Sequence, residues 1–162
     1  MKDRLINLIF MRKILLISVL LIFTVTVFAQ QRGVAPLAKG QKQFNFGVGF
    51  SVDGIPLYAS MDFALHKDVT LTPVVSMEVG QHFYAGAGIK ADYHWNYLLG
   101  IPKKWDFYAG AHTTFYFGNA FLPYIGLQVG GRWYFNKRWA LNAEIGGGTG
   151  FGSTFGMSYK LK

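Results

Sequence analysis

The amino-acid sequence predicts an all-β fold, namely an eight-stranded antiparallel up-and-down β-barrel that crosses a membrane and follows a cleaved signal peptide. Three observations predict this fold. A basic and then apolar N-terminal stretch has the composition of an export signal. Apolar and polar positions then alternate with period two along eight segments. Nearly all the charges of these segments fall on one of the two faces.

The signal peptide is predicted at residues 1–29. Arg12 and Lys13 precede an uncharged, largely apolar run at 14–28, and Ala29 supplies the small residue required before a cleavage site. A transmembrane helix needs roughly 20 apolar residues, which is more than this run contains. Cleavage is therefore expected directly after Ala29.

The remaining chain is predicted to form one domain behind a short lead. Met11 stands just before the basic pair, so residues 1–10 are either an over-called start or an extended first part of the signal. We expect residues 30–42 to form a periplasmic lead and residues 43–162 to form the barrel. The absence of cysteine excludes disulfides, thiolate metal sites and a lipid-bearing cysteine.

The first four segments place an apolar side chain at every second position, with polar residues or glycine between them. They span residues 43–52, 57–66, 69–79 and 83–95. Their apolar positions are, in order, Phe44, Phe46, Val48, Phe50 and Val52; Leu57, Ala59, Met61, Phe63 and Leu65; Val69, Leu71, Val75, Met77 and Val79; and Phe83, Ala85, Ala87, Ile89, Ala91, Tyr93 and Trp95.

The last four segments follow the same rule, and each of the eight is close to the roughly 9–11 residues that cross a bilayer at a tilt. Pro73 and Pro123 each remove a backbone donor, and we predict a local bulge at both. The last four segments span 105–117, 121–135, 139–147 and 153–161. Their apolar positions are Trp105, Phe107, Phe115 and Phe117; Phe121, Ile125, Leu127, Val129, Trp133 and Phe135; Trp139, Leu141, Ala143 and Ile145; and Phe155, Met157, Tyr159 and Leu161.

The sorting of charge decides which face points outwards. The interior of an eight-stranded barrel is just wide enough for side chains to fill, so it has no room for all the phenylalanines and tryptophans. These side chains must therefore face lipid, whereas a soluble ligand-carrying barrel would have the reverse arrangement. The polar interior is expected to hold a network that comprises Asp62, Glu78, Lys90, Asp92, His112, Arg132, Glu144 and Lys160.

We expect this interior network to be paired and to plug the barrel, because an unpaired buried charge is costly. Inward tyrosines and glycines favour dense filling as well. The alternative is that the same charges form a gate or a selectivity lining.

Aromatic residues separate into two groups along the predicted strands, which is typical of the girdles at membrane–water interfaces. Phe50, Phe83, Phe117, Phe121 and Phe151 collect at one end. The other end carries an expected interface girdle of Trp95, Trp105, Trp133 and Trp139.

Residues 43–162 resemble the small outer-membrane β-barrel domain family, with its OmpX-like and OmpA-membrane-domain-like barrels. Three stretches carry the resemblance: Phe28-Ala29-Gln30-Gln31, Trp105-Asp106-Phe107-Tyr108-Ala109-Gly110-Ala111, and Gly156-Met157-Ser158-Tyr159-Lys160-Leu161-Lys162. The resemblance implies the outer membrane of a Gram-negative bacterium, with its lipids as surroundings. It also implies insertion by the outer-membrane assembly machinery and a periplasmic N-terminus.

With this orientation the tryptophan-rich end faces the periplasm. The connection at 96–104 is the longest, and it is both apolar and basic. We expect it to lie on the inner leaflet or to dock a periplasmic partner. The connections predicted to face outwards, at 53–56, 80–81, 118–120 and 149–152, are short, which disfavours a receptor or adhesin role because recognition usually depends on loops.

The sequence favours a structural or accessory protein without cofactor or metal. His82, His94 and His112 could supply a base beside Ser76, Asp92 or Asp106, but no motif fixes a nucleophile. His82 and His94 lie at opposite rims, so a shared metal site is not expected. The net charge of +8 lacks a nucleic-acid reading motif, so no nucleic-acid partner is expected. Three alternatives are a narrow channel for small solutes, a lipid-modifying enzyme and a subunit of an envelope machine.

Overall fold

The structure, a computed structural model, describes residue 33 and residues 35–50, 54–80, 83–117, 122–150 and 152–161. The predicted signal peptide lies outside these residues, as do His82, Phe121 and Phe151. Of the connections expected to face outwards, 118–120 lies wholly outside them, and 53–56, 80–81 and 149–152 lie partly outside.

The described residues form eight strands and one short helix, and each strand overlaps the segment predicted for it, although β2 begins at Gly54, within the predicted connection 53–56. The elements are β1 (Lys42–Gly49), β2 (Gly54–His66), β3 (Val69–Gly80), β4 (Tyr84–His94), α1 (Asn96–Leu99), β5 (Trp105–Phe117), β6 (Leu122–Tyr134), β7 (Trp139–Ile145) and β8 (Ser153–Lys160).

The sheet closes on itself. Each strand pairs antiparallel with the next, and β8 returns to β1 with registers from Gln43↔Lys160 to Gly49↔Thr154. Closure gives every strand a hydrogen-bonded neighbour on both sides over at least part of its length, which suits a bilayer because unsatisfied backbone groups are costly in lipid. The prediction of an eight-stranded antiparallel barrel is confirmed. None of the helices in the described part of the chain has the length and apolar character needed to cross a bilayer.

The two faces of the wall have the predicted composition. Alternate residues such as Asn45, Asp62 and Thr72 are buried in the lumen, while Phe44, Phe46 and other apolar side chains remain exposed on the outside. An outer surface with so many exposed apolar side chains is stable in lipid rather than in water.

The predicted bulges at Pro73 and Pro123 are wrong. Pro73 pairs in register with Ile89, and Pro123 pairs in register with Phe115. A proline removes one donor without adding a residue, so the ladder continues past it. The irregularity in pairing lies instead between Ala64 and His66 of β2, where the register with β3 shifts.

The wall is uneven in height. The strands β7, β8 and β1 have 7 or 8 residues, whereas β2 to β6 have between 11 and 13. The seventh strand was expected to reach residue 147, but it ends at Ile145. Residues 147–150 then turn into the lumen and are buried. Gly147 and Gly150 have φ values of 90° and 92°, a backbone conformation that glycine adopts readily and other residues do not.

The lead before β1 folds against the tryptophan-rich end of the barrel. Ala35 and Leu37 are buried, and the amide of Gly40 donates to the carbonyl of Ala64 at 2.8 Å. The Lys160 ammonium donates to the carbonyl of Pro36, also at 2.8 Å. The described part of the lead is therefore packed against the barrel.

Candidate functional site: the ion-paired interior

Arg132 joins three strands in the part of the lumen near the tryptophan-rich end. It projects from β6, and its Nη2 donates to Asp62 on β2 at 2.6 Å while its Nη1 donates to Asp106 on β5 at 3.0 Å. Asp62 also accepts from Thr72 at 2.8 Å and from Asn45 at 2.9 Å. Since a buried charge is stable only when it is paired and hydrogen-bonded, these contacts are what allow Arg132 to lie inside the barrel.

His94 lies between a hydroxyl and a carboxylate. Its Nδ1 is 2.7 Å from Asp106 Oδ1, and its Nε2 is 3.0 Å from Thr70 Oγ1. This is the order of groups in a hydrolytic triad. However, Thr70 is 1% exposed and His94 is 2% exposed, so a substrate has no route to the hydroxyl in this packing. The arrangement instead orients the imidazole and supplies Asp106 with a second partner besides Arg132.

A second ion pair lies nearer the middle of the lumen. Lys90 on β4 contacts Glu144 Oε2 on β7 directly, and its Nζ is 3.6 Å from Asp92 Oδ2. The Tyr108 hydroxyl donates to the same Glu144 oxygen at 3.0 Å. The lysine therefore links two strands from opposite sides of the barrel.

The ring of Tyr108 lies between the two cations. Its centroid is 5.2 Å from Lys90 Nζ and 4.5 Å from Arg132 Cζ. Both distances fit a cation–π contact, which is stronger when the groups are desolvated. A Cβ at Gly130 would overlap the phenol of Tyr108, so the absence of a side chain at Gly130 makes room for this ring.

A series of hydrogen bonds runs from Asp92 through the Gln128 amide to the His112 imidazole. Gln128 Nε2 donates to Asp92 Oδ1 at 2.7 Å, and Gln128 Oε1 is 2.8 Å from His112 Nδ1. Because an amide oxygen only accepts, His112 Nδ1 must carry the proton, and a neutral ring then has its lone pair on Nε2. That nitrogen is buried and has no hydrogen-bond partner among the residues that the structure describes.

The structure brings most of the predicted interior residues together. Six of them are buried in the contacts above: Asp62, Lys90, Asp92, His112, Arg132 and Glu144. The other two lie apart from this group. Glu78 is buried, and its Oε1 has no partner among the described residues, whereas Lys160 is half-buried at the tryptophan-rich end and contacts Pro36.

Several interior residues were not included in the predicted network. Asp106, His94 and Gln128 contribute central contacts, and Tyr58 donates to Asn142 Oδ1 at 2.6 Å across the lumen. The alternation already placed Asp106 and Gln128 on the polar face. A rule that counts every polar residue on that face would have found them.

The centre of the lumen is closely packed. A cavity of about 10 Å³ remains between Lys90, Tyr108, Arg132 and Glu144 and their neighbours. A water molecule needs at least roughly 10–15 Å³ by the same measure, so this space holds one water at most.

The predicted girdle tryptophans lie on the outer surface at one end of the barrel. Trp95, Trp105 and Trp133 are exposed and Trp139 is half-exposed. The rings of Trp105 and Trp133 are 6.2 Å apart, and the ring of Trp139 is 4.7 Å from that of Tyr159. Phe50, Phe83 and Phe117 are exposed near the opposite end.

In the described parts of the chain, no group of three or more His, Cys, Asp or Glu side chains is arranged to hold a metal ion. Asp62 and Asp106 use both carboxylate oxygens in the contacts above, whereas Asp92 Oδ2 and Glu144 Oε1 accept no hydrogen bond from the described residues.

Several solved structures with the same architecture are small membrane barrels. The N-terminal β-barrel domain of OprF from Pseudomonas aeruginosa matches with a TM-score of 0.59 and 12% identity, over 77% of this chain and 100% of that chain. A de novo designed transmembrane β-barrel matches with a TM-score of 0.60 and 15% identity, over 77% of this chain and 98% of that chain. The chain has the fold of a small outer-membrane β-barrel.

A second designed barrel, TMB2.3, gives a TM-score of 0.58 at 14% identity, over 77% of this chain and 97% of that one. The predicted resemblance to small outer-membrane barrels is thus confirmed at the level of the fold. No protein-family model matches the sequence. A search of curated proteins also finds no match.

Proposed function

We propose that the protein is a resident outer-membrane β-barrel of structural or accessory type, with a closed interior, no catalysis and no open pore. The observation that carries this proposal is the central cavity of about 10 Å³, bounded by the paired charges. An ion with even part of its hydration shell is larger than the single water that fits there.

The contacts across the lumen support a structural role. Arg132 links β2, β5 and β6, the Lys90–Glu144 pair links β4 and β7, and Tyr58 links β2 to Asn142 on β7. These bonds hold opposite walls together, which stiffens the barrel and fills its interior. The enclosure of Thr70 and His94 supports the absence of hydrolytic activity.

The proposal is tested by measuring ion conductance. The full chain is inserted into planar bilayers after gel electrophoresis has shown that the folded form resists SDS when unboiled and shifts on boiling. We expect no stepwise conductance from the unaltered protein. As a positive control, Tyr108→Ala removes the ring between Lys90 and Arg132, and we expect it to give measurable conductance while retaining the gel shift. Conductance steps from the unaltered protein would contradict the proposal.

One observation favours a narrow cation-selective channel as the second candidate. In the described part of the lumen, four carboxylates surround two permanent cations, Lys90 and Arg132; the carboxylates are those of Asp62, Asp92, Asp106 and Glu144. An interior with excess negative charge would favour cations if it opened. The same bilayer experiment distinguishes the two candidates, because a channel would give steps whose reversal potential follows the cation gradient.

The connection between β4 and β5 is proposed to lie on the periplasmic leaflet. Tyr97, Leu98 and Leu99 are exposed beside the exposed Lys103 and Lys104. Apolar side chains next to basic ones suit the boundary between acyl chains and anionic headgroups. Docking of a periplasmic partner, as in an envelope machine, is the alternative, and it predicts a protein that co-purifies only when 96–104 is unaltered.

A further inference from the structure

The outer half of β6 has a neighbouring strand on one side only. Its pairing with β7 begins at Val129↔Ile145, whereas its pairing with β5 continues to Tyr116↔Leu122. Over residues 122–128, the described residues supply no strand on the β7 side. The closed sheet therefore has a gap in the wall at this position.

Backbone groups of β6 face this gap. The amide of Tyr134 donates to the carbonyl of Lys104 on the β5 side, and successive residues of a strand direct their backbone groups to opposite sides. The amides and carbonyls of Ile125 and Leu127 therefore point to the β7 side, where Gly146 packs against the Leu127 carbonyl and Ile125 faces the gap. Pro123 lies two residues before Ile125, so its backbone groups face the same side of the strand. It lacks an amide hydrogen, which leaves one donor fewer there. The remaining groups need hydrogen-bond partners if they are to lie in a membrane.

The gap joins the membrane-facing surface to the lumen. A cavity of about 360 Å³ is lined both by Ile145, which points outwards, and by Tyr116 and Tyr124, which point inwards. Tyr124 is 50% exposed although its position on the strand directs it to the interior, because the wall beside it is missing. The volume lies within the roughly 300–1,000 Å³ that is typical of small-molecule sites.

The lining changes from apolar to polar along the gap. On the outside, Ile125, Leu127 and Ile145 are exposed by 79%, 76% and 62%. On the inside, the cavity is lined by the two tyrosines and by glycine backbone. No charged side chain lines the cavity within the described part of the chain.

We propose that this gap is a binding site for an uncharged amphiphile from the surrounding membrane, of the chemical class of a monoacylglycerol. The apolar tail lies along Ile125, Leu127 and Ile145 on the lipid side. The hydroxyl-bearing head enters the cavity between Tyr116 and Tyr124 and hydrogen-bonds the backbone edge of β6 at Ile125. An amphiphile satisfies both halves of the lining at once. An incoming strand would pair with the backbone edge but would leave the cavity behind it unfilled.

The test uses the full-length protein in phosphatidylcholine nanodiscs and a monoacylglycerol with a diazirine in its acyl chain. After illumination, mass spectrometry locates and quantifies the labelled peptides. We expect saturable labelling of the outer half of β6 and the end of β7, with competition by unlabelled monoacylglycerol. A fatty acid and a lysophosphatidylglycerol of the same chain length should compete less well, since no cationic side chain lines the cavity.

Two matched variants locate the site. Ile145→Trp fills the mouth of the gap, and we expect it to weaken binding about tenfold or more, which corresponds to about 1.4 kcal/mol. Ile89→Trp introduces the same ring at an outward position of β4 that has strands on both sides, and it should bind as the unaltered protein does. A third variant, Tyr124→Phe, keeps the shape of the cavity and tests the phenol hydroxyl alone. Each variant must retain the heat-dependent gel shift.

Either of two results would overturn the proposal. Labelling that spreads around the whole barrel without saturation, equally in the Ile145→Trp and Ile89→Trp variants, would show that the probe reports bulk lipid. Chemical cross-links that join β6 of one copy to a second copy, together with no lipid labelling, would show that a strand of another chain occupies the gap.

Discussion

Asp62 accepts hydrogen bonds from three other strands, through Asn45, Thr72 and Arg132. Asp68 provides a natural comparison, because its nearest permanent cation is the exposed side chain of Lys67, at 3.8 Å. Both carboxylates are buried, so the two residues differ in the environment of their partners. Asp62 should therefore contribute far more to stability.

Asp62→Asn is expected to lower the free energy of unfolding by about 3–5 kcal/mol, because it leaves the buried Arg132 charge with one carboxylate fewer. Asp68→Asn is the matched control and should cost about 1 kcal/mol or less, since exposed pairs contribute little. Urea unfolding in lipid vesicles, followed by tryptophan fluorescence, measures both values. Equal losses in the two variants would contradict this account of the interior.

Lys90 and Glu144 should show coupling in a double-mutant cycle. Lys90→Met leaves the Glu144 carboxylate without its direct partner, and Glu144→Leu does the same to Lys90, so each single variant should be strongly destabilised. The double variant restores charge neutrality at the pair, and we expect a coupling energy of about 0.5–3 kcal/mol. The same unfolding assay measures it, and strictly additive losses would show that the pair does not act as a unit.

At the scale of residues, the sequence predicts which side chains face the lumen but not which of them meet. The alternation of inward and outward positions along each strand is enough to place Asp62, Lys90 and Arg132 inside. Their partners depend on how far the strands are staggered around the barrel, and each residue contacts side chains from strands that are distant in the chain. The pairing of Arg132 with Asp62 and the sharing of Asp106 between Arg132 and His94 could therefore not be predicted.

At the scale of elements, the alternation of apolar and polar residues with period two predicts all eight strands, because each strand has one apolar and one polar face over most of its length. The ends of strands are less determined. The glycine-rich stretch at 146–150 is compatible with a strand, an outward turn or an inward one, and the sequence was interpreted as a strand followed by an outward connection. Burial of Thr149 and a 2.5 Å hydrogen bond from Tyr116 to the carbonyl of Gly150 show that it turns inwards.

This inward turn requires glycine at Gly150 more than at Gly152. Gly150 has positive φ, and a Cβ there would collide with Ser76, whereas a Cβ at Gly152 would meet nothing within 4 Å. Gly150→Ala is expected to cost about 1–2 kcal/mol, the usual penalty for an L-residue in this conformation. Gly152→Ala is the control and should be close to neutral in the same unfolding assay. A neutral Gly150→Ala would mean that the turn is not held in this conformation.

At the scale of the whole molecule, the tryptophans report how the barrel sits in a bilayer. All four lie at one end, so bromine atoms placed near the phospholipid headgroups should quench their fluorescence more than bromines at the chain ends. Vesicles made from the two brominated lipids give the comparison directly. Stronger quenching by bromines at the bilayer centre would contradict the assignment of Trp95, Trp105, Trp133 and Trp139 to an interface.

The difference in wall height gives the barrel the shape of a wedge. At a tilt near 40°, the 7 residues of β7 rise about 18 Å along the membrane normal, while the 13 residues of β6 rise about 33 Å. The apolar layer of a bilayer is about 30 Å thick and adjusts to a mismatch at modest cost by thinning or by tilting the protein. The lipid beside β7, β8 and β1 is therefore expected to be compressed, and the barrel axis to lean. Neighbouring proteins whose own membrane-spanning height is short would then gather preferentially at that side.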